Sequence, residues 1–412
     1  MTSSDQRVWT VLCEAQLQRF IASRIFSGTA LMLLRAAVSW HVYEISQSAF
    51  HLGLVGLVQF LPALVFNLVG GAAADAWDRK RLMMAGQMAP ALGSLTILGL
   101  TLTGNISLPI LYAFVLLIGL SAAFENPARS ALLPRLVPRE RFQDAVAVHS
   151  AIQMGAFMAG PALMGFLVAA FGVAAPYAAH VTLILCSVTV LLFVHPRAGD
   201  GKRASVGLEA IREGLSFLHG QPVVLGCMVL DMFAVLFGGA VALLPIYATD
   251  ILQVGPRGYG VLSAALEIGA VTMALLLFTR PPIRNAGKAL IVAVVLFGMA
   301  TVVFGLSRWF PLSLVAYMAA GSADYISAVL RATVIQLETP DHLRGRISAI
   351  NMIFIGASNQ LGAAESGFVA ALTNPTFSVV SGGIAAVLVA LIVAWRNPAL
   401  RGFQLQRVSS TA

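Results

Sequence analysis

The sequence predicts an all-α integral membrane protein, with twelve transmembrane helices in two pseudo-symmetric six-helix bundles and both termini in the cytoplasm. Three observations predict this fold class: an apolar composition, twelve long apolar stretches, and basic residues concentrated in alternate loops. Of the 412 residues, 58% are hydrophobic and 11% are charged, and the mean hydropathy is +0.85. Soluble domains have about 25% charged residues, so this chain has too few polar side chains to cover a surface in water.

The apolar stretches are as long as a bilayer requires, because a helix crosses the hydrocarbon core with about 20 residues. The first six are predicted at Phe20–Tyr43, Leu52–Ala74, Leu82–Thr103, Leu108–Phe124, Ala145–Phe171 and Ala175–Val194. The second six are predicted at Val223–Thr249, Tyr259–Thr279, Ala289–Leu306, Leu312–Leu330, Ile347–Leu372 and Val379–Trp395. Strands of a membrane barrel are about ten residues long and alternate in polarity, whereas these runs are apolar on all sides.

The basic residues predict the orientation, because Lys and Arg accumulate in cytoplasmic loops. Of the 26 Lys and Arg residues, 22 fall on one side of alternate spans. Arg257 and Arg308 lie in the opposite loops, and Arg24 and Arg35 lie inside the first span. Both termini are therefore predicted to be cytoplasmic.

The longest cytoplasmic loop divides the chain into residues 1–195, a linker of 196–222, and residues 223–412. A repeat crosses this boundary: MGAFMAGPALMGFLVAA from Met154 resembles IGASNQLGAAESGFVAA from Ile355, at an offset of 201 residues. Chance similarity between apolar helices is the alternative. The repeat favours a duplicated six-helix unit, and repeated halves around a midplane site are a transporter architecture.

The linker has its own apolar pattern. Leu208, Ile211, Leu215 and Leu218 recur at helical spacing among polar and basic residues. This spacing indicates an amphipathic helix at the membrane interface, and a partly ordered tether is the alternative.

The loop after the second span carries GGAAADAWDRKR, which resembles the loop motif of the major facilitator superfamily. The matches to its glycine, acid and basic pair are Gly71, Asp75, Arg79 and Lys80. Ala76 stands where that superfamily usually has arginine, and Asp78 stands where it usually has glycine. The resemblance implies a conformational gate in which ion pairs differ between states, whereas a positively charged cytoplasmic anchor is the alternative. We expect Glu125 and Arg129, one helical turn apart, to belong to the same gate.

Two further loop segments, AFENPARSALLPRLVPRERF from Ala123 and VIQLETPDHLRGRISAINM from Val334, resemble the siderophore and macrolide exporter branch of this superfamily. The fifth span also partly matches the superfamily's antiporter motif at Gly160, Pro161 and Gly165, although ordinary packing of small residues explains these as well. The resemblance implies a bacterial inner-membrane exporter that works as a monomer.

Charges inside the predicted spans are candidate transport residues, since an ionisable group in the bilayer is costly unless it faces a cavity or a partner. Arg24 and Arg35 are eleven residues apart, which places them about 20° apart on one helix face and roughly 16 Å apart along its axis. They are predicted, with Gly28 and Tyr325, to line a substrate cavity. Arg24 could instead extend to the cytoplasmic interface.

Four acids lie within spans of the second half and are predicted proton-coupling residues: Asp231, Glu267, Asp324 and Glu365. Asp231 and Glu267 are preferred because they lie in the middle of their spans. A carboxyl group that gains a proton in one access state and loses it in the other would couple transport to the proton gradient. Structural ion pairing is the alternative for each acid.

The sequence therefore predicts a secondary transporter that exports an amphipathic small molecule by proton-coupled alternating access. A facilitator or a lysophospholipid flippase without proton coupling is the second hypothesis, and a membrane scaffold or enzyme is the third. No converging nucleophiles, Walker A motif or CxxC pair is found, so we expect no catalytic residue, metal or cofactor. The expected partners are a small-molecule substrate, protons and the bilayer, but not a nucleic acid.

Overall fold

A computed structural model describes residues 14–138, 141–195, 213, 216–280 and 283–405. Within these ranges the chain is helical and forms no strand, as the composition predicts. The first six long helices are α1 (Ala15–Ser46), α2 (Ala49–Ala76), α3 (Arg79–Leu102), α4 (Leu108–Leu132), α5 (Phe142–Phe171) and α6 (Ala175–Leu192). The following long helices are α7 (Pro222–Gly238), α8 (Gly255–Phe278), α9 (Ala286–Leu306), α10 (Phe310–Glu338), α11 (Arg344–Leu372) and α12 (Pro375–Arg396).

Several helices extend beyond the predicted apolar spans, because a helix can continue past the hydrocarbon core with polar residues. The fourth helix is the clearest case: its predicted span ends at Phe124, but α4 continues to Leu132. Glu125 and Arg129 therefore lie on the helix itself. The start of α3 is fixed by Asp78, whose carboxylate accepts a hydrogen bond from the backbone N–H of Arg81 at 2.8 Å.

The predicted seventh span, Val223–Thr249, is not one continuous α-helix. The α-helix ends at Gly238 and is followed by a 3₁₀ turn at Ala240–Leu243 and a π turn at Tyr247–Ile251. Close packing accompanies the break, because a Cβ added at Gly238 would lie 2.3 Å from the Phe297 ring. Such irregular backbone is tolerated at membrane depth only where protein or water surrounds it.

Ten helical segments in the described ranges are long and apolar enough to cross a membrane. Helix α2 contributes a shorter apolar stretch, Ala49–Pro62, and α11 is not among the ten. The chain is therefore an integral membrane protein, whereas twelve crossings and the cytoplasmic placement of both termini stay predictions.

The chain forms two compact units. Unit 1 comprises Met1–Arg203 and Gln253–Ala264, and unit 2 comprises Ala204–Leu252 and Ala265–Ala412. The predicted domain boundaries at residues 195 and 223 stay predictions. In the predicted linker helix, Leu208, Ile211 and Leu215 lie outside the described residues, whereas Leu218 is buried in an apolar cluster of unit 2.

The helices of the two units pair in a repeated pattern. In unit 1, α1 packs on α5 and α6, α2 on α4, and α3 on α4 and α6. In unit 2, α7 packs on α11 and α12, and α9 packs on α10 and α12. Helix α8 meets α10 at two glycines, because a Cβ added at Gly269 or Gly321 would lie 1.9 Å from a backbone oxygen of the other helix. Adding six to each helix number of a pair in unit 1 gives the corresponding pair in unit 2.

An apolar core fills the interior of each unit. In unit 1 its buried members include Leu17, Phe20, Met83, Leu132, Leu136 and Val194. In unit 2 they include Cys227, Leu230, Leu290, Val294, Val334 and Leu400. The polar and charged groups described below interrupt these apolar interiors.

Candidate functional site

The predicted charges of the first half form a buried ion cluster in unit 1. The Arg24 guanidinium lies 3.3 Å from the Glu125 carboxylate, which joins α1 to α4. Arg129 approaches the same carboxylate at 3.9 Å from the next turn of α4. The Gln87 amide on α3 also donates to Glu125 at 3.2 Å. This acid is therefore balanced by two cations and an amide donor.

A chain of uncharged polar groups extends the cluster through the unit. The Ser187 hydroxyl on α6 donates to the Gln87 side-chain oxygen at 2.9 Å and lies 2.8 Å from the Ser23 hydroxyl on α1. Both serines are fully buried. The network thus links α1, α3, α4 and α6, and every link satisfies a polar group that would be costly to bury alone.

Arg35 has no such balance. Its Nε is buried without a hydrogen-bond partner, and Arg35 makes no ion pair with a described residue. Its positive charge is close enough to that of Arg129 for the two to interact. Gly28, predicted to line the same cavity, is instead buried against α5: a Cβ added there would lie 3.0 Å from the Cβ of Ala156. The space beside Gly28 is therefore filled by a neighbouring helix.

The basic residues of the loop motif secure helix ends within unit 1. The Lys80 ammonium donates to the carbonyls of Leu192 and Val194 at 2.6 and 2.9 Å, which caps the end of α6. The Arg79 guanidinium donates to the carbonyl of Ala131 at the end of α4 at 3.2 Å. The side chain of Asp75 lies outside the described part of the structure.

Within unit 1, the motif glycine Gly71 is not the glycine that packs closely against another helix. No described atom of another helix lies within 4 Å of a Cβ added at Gly71, whereas one added at Gly70 would lie 2.1 Å from the Ala123 carbonyl on α4. Within unit 1, the close helix approach therefore occurs at Gly70, the neighbour of the motif glycine.

The small residues of α5 lie at close helix crossings. A Cβ added at Gly160 would lie 2.7 Å from the backbone nitrogen of Leu33 on α1. One added at Gly165 would lie 2.5 Å from the Pro256 carbonyl at the start of α8, in the part of α8 that belongs to unit 1. Pro161 lies inside the same helix. Their packing role is visible, and an antiport role stays a prediction.

Asp231, one of the two preferred proton-coupling residues, is paired. Its carboxylate forms an ion pair with the Arg331 guanidinium, which joins α7 to α10 within unit 2. Both residues are 7% exposed. Arg331 was placed among the cytoplasmic basic residues by its sequence position, so its role as a buried partner was missed. The available signal was the position of Arg331 directly after the predicted tenth span, where the helix can continue.

Glu267 and Asp324 lie on two packed helices of unit 2, α8 and α10, and neither pairs with a described cation. They are half-buried on α8 and α10, and their negative charges are close enough to interact. Neither has an ion pair or a hydrogen bond with a described residue. The helices that carry them are in close backbone contact at Gly269 and Gly321. The Ser322 hydroxyl also donates a hydrogen bond to the Gly269 carbonyl at 2.9 Å.

Two further predicted residues, Glu365 and Tyr325, have no described ion pair with the groups above. The carboxylate of Glu365 on α11 accepts a long hydrogen bond of 3.4 Å from its neighbour Ser366. Tyr325 follows Asp324 on α10 and is half-buried. No group of three or more His, Cys, Asp or Glu in the described ranges is arranged to hold a metal ion.

Comparison with known proteins gives a consistent result. Residues 8–410 match the profile of the transmembrane secretion effector family. The enterobactin exporter EntS of Citrobacter koseri is 26% identical over 93% of this chain and 92% of its own length. EntS of Escherichia coli is 25% identical over 95% of this chain and 94% of its own length.

Solved structures of transporters share the fold. A bacterial homologue of the human lysosomal transporter Spinster, inward-facing and occupied, has a TM-score of 0.72 at 13% identity and covers 95% of this chain and 98% of its own. The nucleoside transporter NupG has a TM-score of 0.65 at 14% identity and covers 93% of this chain and 99% of its own. At these identities the likeness concerns the fold alone.

Proposed function

Because the chain belongs to the transmembrane secretion effector family of the major facilitator superfamily, we propose that it exports an amphipathic small molecule in exchange for protons. The chain is a bacterial inner-membrane transporter and not an enzyme. The curated relatives are exporters of enterobactin, which makes a siderophore the first class of substrate to test and a macrolide-like drug the second. Two six-helix halves work by alternating access.

The unpaired acids Glu267 and Asp324 carry the proposal of proton coupling. Two negative charges that lie close together without a cation repel each other in a low-dielectric interior. A proton taken up by either acid removes this repulsion. If one access state favours the protonated pair and the other favours the ionised pair, the proton gradient shifts the equilibrium between the two states.

The other candidate acids fit this role less well. Asp231 is held by Arg331, and Glu125 is held by Arg24 and Arg129. An acid that is already neutralised by a cation has less to gain from a proton. Glu365 has no ion pair with a described residue and is the next candidate.

The experiment is ligand-induced proton release from the purified protein in detergent, with enterobactin and erythromycin as test compounds and a pH-sensitive dye. Wild-type protein is expected to release protons when the exported compound binds. Glu267→Gln and Asp324→Asn are each expected to bind the compound and to lose most of the proton signal. Asp341→Asn is the matched control, since the Asp341 side chain is 88% exposed and its loss is expected to change nothing.

Binding by wild-type protein without any proton signal would discard proton exchange. It would favour the facilitator or lysophospholipid flippase hypothesis. A proton signal that survives in the double variant Glu267→Gln/Asp324→Asn would move the coupling site elsewhere, with Glu365→Gln the next variant to measure.

A further inference from the structure

We infer that the exported molecule carries an anionic group, such as a carboxylate, and that Arg35 is its binding residue. This inference rests on the proposed export function, since it names the charge of the cargo. It starts from the interior of unit 1, where Glu125 pairs with Arg24 and Arg129, whereas no described acid pairs with Arg35.

Arg35 is the member of this group that forms no ion pair with a described residue. Arg24 donates to Glu125 at 3.3 Å and to the Ser27 hydroxyl at 2.9 Å, and Arg129 approaches Glu125 at 3.9 Å. Arg35 has no described partner, and its Nε is buried. A guanidinium has five N–H donors in a fixed planar fork that matches a carboxylate. A buried, unpaired cation is costly, so a ligand anion at this position would supply the missing partner.

The segment of α1 that follows Arg35 packs against α8 within unit 1. The next residue, Ala36, accepts a hydrogen bond through its carbonyl from the Tyr259 hydroxyl at 3.3 Å. The Tyr259 ring packs against that of Trp40 with 5.4 Å between the ring centroids. An arginine and an aromatic pair thus occur on two packed segments of unit 1.

This arrangement predicts selection by charge. An anion gains a charge-assisted hydrogen bond from Arg35, whereas a neutral compound of the same shape leaves the guanidinium unpaired. A cationic compound adds repulsion from Arg35 and Arg129. The order of affinity is therefore expected to be anion, then neutral compound, then cation.

The experiment measures binding of 2-naphthoate, 2-naphthamide and 2-naphthylmethylamine, which share one ring system and carry charges of opposite sign or none. Equilibrium dialysis uses the full chain in a neutral detergent, with empty micelles subtracted. Wild-type protein is expected to bind naphthoate about tenfold more tightly than naphthamide. Arg35→Gln is expected to abolish this preference, and Arg35→Lys to keep part of it, since lysine keeps the charge but not the fork.

The matched control is Arg396→Gln, which removes one arginine from the exposed end of α12 and is expected to keep the wild-type preference. Naphthoate binding no tighter than naphthamide binding in wild-type protein overturns the inference, as does no detectable naphthoate binding up to about 10 mM. An unchanged preference in Arg35→Gln overturns the assignment of the residue. The assay needs no proton exchange, so its failure and the failure of proton coupling are seen separately.

Discussion

The two units use the same pair of helices for a buried ion pair, but with the charges exchanged. In unit 1 the cation is Arg24 on the first helix, α1, and the anion is Glu125 on the fourth, α4. In unit 2 the anion is Asp231 on the first helix, α7, and the cation is Arg331 on the fourth, α10. The same helix packing therefore accommodates a cation on the first helix in one unit and an anion there in the other. Helix packing constrains where the paired charges lie, but it does not determine their sign.

What is left after pairing also differs in sign between the units. Unit 1 keeps Arg35 without a described partner, whereas unit 2 keeps Glu267 and Asp324. Removing one partner of a buried ion pair destabilises the fold, and an unpaired charge is costly unless it serves binding or proton transfer. The comparison separates structural charges from candidate functional ones, and this separation can be tested by stability.

The largest stability effect is expected at the ion pair of unit 2. Arg331→Ala leaves the carboxylate of Asp231 buried and uncompensated, and breaking a buried pair in this way typically costs about 3–5 kcal/mol. The measurement is the thermal unfolding midpoint of the purified variant in detergent. Wild-type stability in Arg331→Ala would mean that Asp231 does not depend on its partner.

The matched control replaces both members of the pair. Asp231→Leu/Arg331→Met removes the two charges together and is expected to recover most of the lost stability, because no unpaired charge remains. A double variant as unstable as the single variant would assign the loss to packing around Arg331 instead of to the charge on Asp231.

The next effect compares a balanced acid with an unbalanced one. Glu125→Gln removes the carboxylate that balances Arg24 and Arg129, and it is expected to lower stability by about 2–3 kcal/mol, because each ionic hydrogen bond contributes about 1.5–3 kcal/mol. Glu267→Gln removes a charge that has no described partner and is expected to change stability by less than about 0.5 kcal/mol or to raise it. Both are measured by thermal unfolding. Equal losses would erase the distinction between structural and functional acids.

The sequence predicted the helical membrane fold and the buried charges within the apolar spans, because apolar stretches and rare charges within them are visible in one dimension. It missed Arg331, which follows the predicted tenth span and is nevertheless buried. It could not predict the pairing of Asp231 with Arg331, which lie 100 positions apart and meet only through helix packing. The same limit explains the break in the seventh span at Gly238, since a glycine in an apolar run does not reveal the Phe297 ring packed against it.

The choice between neighbouring residues was also beyond the sequence. Gly70 and Gly71 are adjacent, and only the contacts of a Cβ added at each position show that Gly70 is the one packed against α4. Gly28 was expected beside a cavity because it shares a helix face with Arg24, yet Ala156 of α5 occupies that space. The spacing of residues in the sequence predicts which of them share a helix face. It does not predict which neighbouring helix packs against that face.

The smallest stability effect is expected at the glycines of the helix contacts. It tests whether the two units pack their helices in the same way although their charges differ. Gly160 on α5 and Gly362 on α11 meet the first helix of their own unit: an added Cβ would lie 2.7 Å from the Leu33 nitrogen at Gly160 and 2.8 Å from the Val235 oxygen at Gly362. Gly160→Ala and Gly362→Ala are each expected to lower stability by about 1–2 kcal/mol, because the backbones must separate. Thermal unfolding in detergent measures both.

The controls come from the same two helices. Gly155 and Gly356 occupy corresponding positions in the repeat, and an added Cβ at either would meet no atom of the described residues within 4 Å. Gly155→Ala and Gly356→Ala are expected to raise stability by about 0.5–1 kcal/mol, since alanine favours a helix over glycine. If Gly160→Ala and Gly362→Ala differed as strongly as the charged variants do, the units would not share a packing scaffold, and the exchanged ion pairs would be unrelated features of two different bundles.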